Sequence, residues 1–318
     1  MSTTKIHSLT ESSLLAAITV ISALIAVYIP ILGIAATFLW PLPIIVLTVR
    51  HSLRWAVLSI ITAGILMSIL IEPMTAIGML LSFAPPALIL GIGFRDSWPG
   101  ARLLLFPSIA AIAGTIMSMG VLFAVTGINP LDAQLTMLQE SMDSTFALYD
   151  SMGMSKEEIA QSKELFEKSF QLIGLLFPLA IVIIGVFTSW LNFIISSRIL
   201  KRLGYLTPSL PLFDEWHLPK AFLYIFGFSM VGLYWGSTRE LQLLYQVSLN
   251  LNFLATFAGL LQGASLLSAL TRHFHLSRWL YWLIIVFVLL DGVLGQILAF
   301  TGLFDMIFDY RKKLSRRS

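Results

Sequence analysis

The position of the charged residues is the feature that most constrains the fold of this chain. Between Ser12 and Val49 there are 38 residues without an Asp, Glu, Lys or Arg. A helix needs about 20 apolar residues to cross a bilayer core, and it must satisfy its own backbone hydrogen bonds there. Six further charge-free runs follow: Trp55–Ile71, Pro73–Phe94, Leu103–Leu131, Ser169–Ser197, Ala221–Thr238 and Leu241–Thr271. The pattern predicts an all-α, polytopic integral membrane bundle with about eight to ten transmembrane segments.

The composition supports this fold class and narrows the chemistry. Hydrophobic residues make up 57% of the chain and charged residues only 12%, whereas soluble globular chains carry about 25% charged residues. There is no cysteine, which excludes disulfides and thiol chemistry. The sequence shows no Walker-type phosphate loop and no Ser/His/Asp order. We therefore expect no ATPase, no other enzyme and no cofactor, and we attribute the net charge of +3 to membrane orientation rather than to nucleic acid.

Prolines, glycines and polar turns divide the apolar runs into helices. Thr10 and Ser12 are predicted to cap the first helix, and Pro85-Pro86 is predicted to break the fourth. The predicted helices are Thr10–Ile29, Ala35–Val49, Trp55–Ile71, Met74–Gly93, Leu103–Thr126, a sixth ending at Ser197, Lys220–Gly236, Leu241–Leu270 and the interrupted stretch Trp279–Phe308.

Residues 127–168 differ from the rest because they hold eight acidic residues and three lysines, a net charge of −5. Asn129-Pro130 predicts a helix start, and Ser155 with Glu158 predicts a capping box that opens the next helix. Gly153 separates the two helices. We expect the second one to continue without interruption into the sixth membrane helix. Residues 127–168 would then form a helical hairpin outside the cytoplasm.

Basic turns set the predicted orientation, because cytoplasmic loops carry an excess of Lys and Arg. Four basic turns agree if the N-terminus is cytoplasmic. The tail agrees if the last apolar stretch bends back near Asp291-Gly292, and fixing this topology is the expected role of Arg311–Arg317. The predicted domains are 1–202 with the hairpin inserted, a cytoplasmic loop at 203–219, C-terminal membrane helices at 220–310 and a cytoplasmic tail at 311–318.

Two stretches carry a family resemblance: T-E-S-S-L-L-A-A at 10–17 and G-L-F-D-M-I-F-D-Y-R-K at 302–312. With them the chain resembles the YybS family of bacterial predicted membrane proteins, a domain of unknown function. The first six helices also resemble the substrate-binding S component of energy-coupling-factor vitamin transporters. This second resemblance implies a small-molecule binding or transport protein of the bacterial cytoplasmic membrane, driven by a transmembrane coupling subunit with ATPases. The C-terminal helices and the hairpin depart from that pattern.

Polar and aromatic residues inside the predicted bundle form the candidate ligand site. Three amide side chains could bind a small molecule: Asn192, Gln246 and Asn250. The aromatic rings of Trp40 and Trp190 could form the walls of its pocket. The alternative for the three amides is hydrogen bonding between helices. The alternative for the tryptophans is a position at the membrane interface.

Two further features remain open between a functional and a structural interpretation. We identify Asp291 as the only carboxylate inside a long apolar run, which predicts either a proton or cation site or the cap of a half-helix. His273 and His275 lack a third ligand, so no metal site is predicted.

Small residues recur four apart on the first helix, which favours packing inside the bundle or against a coupling subunit. These pairs are Ser12 and Ala16, Ser13 and Ala17, and Ser22 and Ala26.

Two functions follow as alternatives. The first is small-molecule binding or transport without an ATPase of its own. The second is a membrane scaffold or assembly factor that binds a protein partner through the external hairpin, because an amphipathic helix buries its apolar stripe against another surface.

Overall fold

The apolar runs are helical in the computed structural model, which describes residues 3–315 and, within them, all side chains except those of 3–8, 30, 278, 289 and 313–315. Apart from a short 3-10 turn at Phe213–Glu215, the regular structure in that range is α-helix. The helices are α1 Thr3–Tyr28, α2 Pro30–Leu39, α3 Leu42–Arg50, α4 Leu53–Leu70, α5 Pro73–Arg95, α6 Gly100–Thr126, α7 Pro130–Ser151, α8 Lys156–Arg202, α9 Ala221–Thr238, α10 Gln242–His273, α11 Arg278–Leu290, α12 Gly292–Phe308 and α13 Tyr310–Ser315.

Seven segments of the described chain are long and apolar enough to cross a membrane, and the α11–α12 pair adds an eighth if it is one bent span. The predicted polytopic helical membrane fold is confirmed, and the expected number of eight to ten segments is reached only if the bent pair counts as one span. Large apolar side chains such as Ile31, Phe228 and Leu243 are 75% to 87% exposed. Such a surface suits lipid tails, which are as apolar as leucine.

The helices group into two compact units. The first contains Met1–Phe170 and Ala180–Leu210, and the second contains Gln171–Leu179 and Pro211–Ser318. The predicted boundary at residue 202 lies close to the break at residue 210. The second unit also contains residues 171–179 of α8. The hydrophobic pattern of the sequence does not predict that this short segment belongs to the second unit.

The first unit packs around a core that includes Trp40, Met67 and Leu90. Two of its helices, α5 and α6, approach closely at Gly114, where a Cβ atom would clash with the carbonyl oxygen of Leu81. Lipid gives helices no hydrophobic reason to associate, so close backbone contact of this kind is what stabilises their packing.

Two local predictions in the first unit are wrong. α1 begins at Thr3, so Thr10 and Ser12 lie inside the helix instead of capping it. The polar residues that precede the apolar run belong to the same helix, so α1 extends beyond its apolar segment. α5 runs unbroken through Pro85 and Pro86. Each proline removes only one donor and crowds one turn, and α5 is packed here between α3 and α6, which support it.

Glu11 joins α1 to the basic turn after α3. Its carboxylate oxygens lie 2.6 Å from Arg50 Nη1 and 2.8 Å from His51 Nε2. The acid that precedes the longest charge-free run thus contacts the two basic residues that follow it. This contact therefore joins α1 to the end of α3.

Both predicted caps of the hairpin are confirmed. The Asn129 side chain accepts a hydrogen bond from the first turn of α7 at 3.0 Å, and Ser155 and Glu158 form the capping box of α8. Phe146 of α7 contacts Phe166 of α8 edge to face, with 6.5 Å between ring centroids. As predicted, α8 continues without interruption from the hairpin to the basic turn at its end.

In the second unit, α10 and α12 cross at three glycines. A Cβ atom at Gly302 would clash with the carbonyl oxygen of Gly259 and the backbone nitrogen of Gly263. A Cβ atom at Gly259 would lie 2.5 Å from the carbonyl oxygen of Ala299. Gly259 and Gly263 have the small-xxx-small spacing that lets two backbones touch. Sequence reasoning placed this kind of packing on α1 and missed it here.

A side-chain amide completes the backbone hydrogen bonding of α8 next to Pro178. Proline has no N–H and its ring crowds the preceding turn. Asn250 Oδ1 accepts from the Leu179 N–H at 2.9 Å, and Asn250 Nδ2 donates to the Leu175 carbonyl at 2.7 Å. An ideal helix would join these two backbone groups to each other. Asn250 therefore makes the hydrogen bonds between helices that were the alternative interpretation of this residue.

Replacing Asn250 by leucine is expected to lower the free energy of unfolding by about 1–3 kcal/mol, because two backbone groups lose their partner. Adding Pro178→Ala should recover most of this loss, since α8 can then bond to itself. Chemical or thermal unfolding in detergent measures both changes. Asn252→Leu is the matched control, because its amide donates to the Ser229 hydroxyl instead. Recovery by Pro178→Ala in both variants would contradict the assignment.

The predicted break at Asp291-Gly292 is confirmed, with a bend of 111° between α11 and α12. Asp291 Oδ1 accepts from the Val293 N–H at 2.8 Å and from the Leu294 N–H at 2.9 Å. The carboxylate therefore caps α12, which is the second of the two interpretations. Asp291 is exposed, and its role as an ion or proton site stays a prediction.

Candidate functional site

The residues predicted to bind a ligand are distributed over both units. In the first unit, Trp40 and Asn192 are buried, and Asn192 Nδ2 donates to the Thr188 carbonyl at 2.9 Å. Asn192 Oδ1 has no hydrogen-bond partner among the described residues. Trp190 is half-buried and contacts Phe187 on the same helix. The structure brings Asn192, but not the two tryptophans, to a cavity.

That cavity is too small for a vitamin-like molecule. Its volume of about 10 Å³ corresponds to a single water molecule, whereas ligand pockets measure about 300–1,000 Å³. Pro86, Pro107 and Asn192 are among its walls. Trp40 packs on Phe83, with 5.9 Å between ring centroids, rather than lining it.

Gln246 and Asn250 both belong to the second unit, where they serve the backbone of α8. Gln246 Nε2 lies 3.5 Å from the Leu175 carbonyl, the oxygen that also accepts from Asn250. Both amides are therefore directed at the Leu175 carbonyl, in the turn that precedes Pro178. Neither residue lines the small cavity beside Asn192 or the open cleft described below.

The small residues of α1 do not form one face. Burial separates them into one inward pair, one outward pair and one intermediate pair. They are, in that order, Ser12 with Ala16, Ser13 with Ala17, and Ser22 with Ala26. Packing inside the unit accounts for the first pair, and the second pair is open to lipid or to another protein.

Sequence reasoning missed the most buried acid of the second unit. Asp305 on α12 is 1% exposed, so the statement that Asp291 is the only carboxylate in a long apolar run is wrong. Asp305 Oδ2 accepts from Gln262 Nε2 at 2.7 Å and lies 3.3 Å from Arg311 Nη2. Asp305 Oδ1 accepts from the Tyr310 N–H at 3.0 Å. Both carboxylate oxygens of Asp305 therefore have partners, on α10 and α13.

Arg311 extends this cluster, and these contacts come in addition to its predicted role in fixing the topology, which stays a prediction. Its guanidinium donates to the Asp214 carbonyl and to Ser265 Oγ, the second at 3.1 Å. Ser265 Oγ in turn donates to the Phe213 carbonyl. Arg272 Nη2 lies 2.7 Å from Asp214 Oδ2. We call this set the polar network: Asp214, Gln262, Ser265, Arg272, Asp305 and Arg311.

An open cleft of about 600 Å³ lies beside the polar network, within the usual size range of ligand sites. Residues 217–220 form one wall, and residues 306–309 with Lys312 form the other. Gln262 fixes both walls, because its Oε1 accepts from the Leu218 N–H at 3.0 Å while its Nε2 donates to Asp305. The polar network thus holds the shape of the cleft, and we take the cleft as the candidate site.

The charges in the cleft are unequal. Asp309 pairs with Lys312 at 2.7 Å. Burial acts to raise the pKa of Asp309, but hydrogen bonds from Lys312 and the charges of Lys312 and His217 outweigh it and lower the pKa. Asp309 is therefore ionised at neutral pH and neutralises Lys312. His217 and Lys220 remain as basic groups with no ion-pair partner among the described residues.

Among the side chains that the structure describes, no group of three or more His, Asp or Glu is placed to hold a metal ion. His273 and His275 are both exposed at the end of α10.

Comparisons with known proteins agree with the membrane fold. The family described as "Predicted membrane protein (DUF2232)" matches residues 17–306, a range that contains Gln262 and Asp305. The protein named "Uncharacterized protein YybS" from Bacillus subtilis (strain 168) is 26% identical over 318 residues, which cover 97% of this chain and 98% of that protein. No solved structure matches the chain significantly. The chain belongs to the DUF2232 family of predicted membrane proteins.

Proposed function

We propose that the protein binds a small molecule in the cleft of its second unit, as the binding component of a transport process. The size and lining of the cleft carry this proposal. Leu218 and Met306 give apolar walls, and a few polar groups stand among them. Ligand sites typically combine apolar walls with a small number of polar groups. Because the chain lacks a phosphate loop, energy would come from separate ATPases or from an ion gradient.

Filling the cleft tests the proposal. Ile307→Trp places an indole between the two walls and should abolish binding. Val293→Trp is the matched control, because it adds the same side chain to an exposed position on the same helix. Native mass spectrometry of the gently purified protein should show a retained small molecule in the natural protein and in the control, and none in Ile307→Trp.

Equal retention in the two tryptophan variants would contradict binding in the cleft. Repeated absence of any retained molecule from the natural protein would contradict the proposal as a whole. Thermal unfolding of both variants checks that the loss reflects occupancy of the cleft and not a misfolded protein.

A scaffold role is the second candidate, and the hairpin favours it. The hairpin combines a net charge of −5 with exposed apolar side chains. Met137, Met152 and Leu165 are 66% to 73% exposed.

Deleting residues 131–167 separates the two candidates. Loss of a co-purified protein with the retained small molecule unchanged would support the scaffold as an additional role, whereas no loss of any partner would remove it.

The location and orientation belong to the same proposal. We place the protein in the bacterial cytoplasmic membrane with both termini inside, supported by the basic turns and by the bend at Asp291. A coupling subunit, as the S-component resemblance implies, would contact the outward pair Ser13 and Ala17 on α1. Labelling of an introduced Ser315→Cys from outside the cell would contradict this orientation.

A further inference from the structure

The basic groups of the cleft are not balanced by acids. Lys312 is neutralised by Asp309, whereas Lys220 and His217 face the same space without an ion pair in the described part of the chain. The nearby arginines are paired with acids, Arg311 with Asp305 and Arg272 with Asp214, and neither lines the cleft. The cleft therefore offers an excess of positive charge to whatever occupies it.

The donors in the cleft suit phosphate. A lysine ammonium is a point charge with three donors and a common phosphate ligand. Lys220 is also the residue immediately before the first turn of α9, an 18-residue helix. The positive end of this helix adds to the attraction of the lysine for an anion.

The rest of the cleft is apolar. Met306 is buried, and Ile307, Leu218 and Pro219 complete the apolar part of the walls. These residues lie where α12 ends and α9 begins, at the ends of apolar helices. A molecule that satisfies both parts of the cleft needs a phosphate at one end and apolar groups next to it.

We propose, on the basis of the proposed function, that the cleft recognises the phosphate of an amphiphilic molecule, with Lys220 as its main ligand and His217 as a second donor. The phosphate can belong to the headgroup of an anionic phospholipid or to a soluble phosphate ester. Basic pockets between membrane helices bind anionic headgroups by the same chemistry.

The test uses the full-length protein in detergent, with native mass spectrometry as the measurement. The probes are phosphatidylglycerol, phosphatidylcholine with the same acyl chains, and glycerol 3-phosphate. Phosphatidylglycerol should be retained at least about tenfold more strongly than phosphatidylcholine. Lys220→Gln should weaken its retention about tenfold, because one charge-assisted hydrogen bond is lost.

Lys201→Gln is the control, because it removes the same charge from the exposed basic end of α8, outside the cleft. It should leave the retention of phosphatidylglycerol within about twofold, as expected for a screened surface charge. Thermal unfolding of both variants should be unchanged, since neither lysine belongs to the polar network.

Displacement of the lipid by glycerol 3-phosphate would identify a soluble phosphate ester as the source, and resistance to it would identify the lipid. Equal weakening by Lys220→Gln and Lys201→Gln, or equal retention of the two lipids, would overturn the phosphate assignment. If Ile307→Trp still expels a molecule without phosphate, the proposed function stands and this inference alone fails. If Ile307→Trp has no effect on any retained molecule, both fail.

Discussion

Replacing Asp305 by leucine is expected to lower the free energy of unfolding by about 3–5 kcal/mol. The Arg311 side chain is only 12% exposed, and it would keep its charge without its carboxylate. The amide of Gln262 would lose its acceptor at the same time. Removing one member of a buried ion pair costs more than removing both, because the remaining charge stays away from water.

Denaturant titration in detergent, followed by helix content, measures this loss. Asp309→Asn is the control, because asparagine tolerates the left-handed backbone of this position, where φ is 44°. The acid pairs with a Lys312 side chain that is 79% exposed, so the loss of its charge should cost no more than about 1 kcal/mol. The double variant Asp305→Leu with Arg311→Met should recover most of the stability. A small effect of Asp305→Leu, or a double variant no better than the single one, would show that the pair is not buried.

The second large effect is expected at the crossing of α10 and α12. Gly302→Leu should destabilise the second unit by about 3 kcal/mol or more, because its side chain would have to occupy the position of the Gly259 backbone. Gly302→Ala should act in the same direction, since even a Cβ atom clashes there. The two helices must move apart, and the cleft loses the wall that α12 provides.

Gly227→Leu is the matched control. It lies in the apolar helix α9, and a Cβ atom there meets nothing within 4 Å. This variant should be as stable as the natural protein or slightly more so, because glycine is a poor helix former. Cross-linking between cysteines introduced on α10 and α12 should fail in Gly302→Leu and persist in Gly227→Leu. Persistence in both would contradict the close crossing.

The helical fold was predictable because the membrane imposes it. Charge-free runs of sufficient length can only be helices in lipid, and local signals then set several of their ends. Asn129 and Ser155 carry their capping information within four residues, so the ends of the hairpin helices followed from the sequence. The predicted cap at Thr10 was wrong because a helix can continue beyond the membrane surface without a cap. Nothing in the apolar pattern marks that extension.

The candidate site was not predictable by the same means. Asp305 lies three residues before the end of the last apolar stretch, where an acid normally marks the membrane boundary. Its burial depends on Gln262 and Arg311, and only the fold brings these residues together. The amides were found by their position in apolar runs, but Gln246 and Asn250 bond backbone groups of α8 next to Pro178. The sequence pattern identifies a polar residue in an apolar run, but it does not identify the group with which that residue forms a hydrogen bond.

The amide at Asn250 also constrains how the chain can change in evolution. While Pro178 is present, losing Asn250 leaves two backbone groups of α8 without partners. Once Pro178 has become another residue, α8 bonds to itself and Asn250 is free to vary. The order of substitutions is therefore directional: in related chains that lack the asparagine, the proline is expected to have been lost first, and chains with the proline but no amide at this position should be rare.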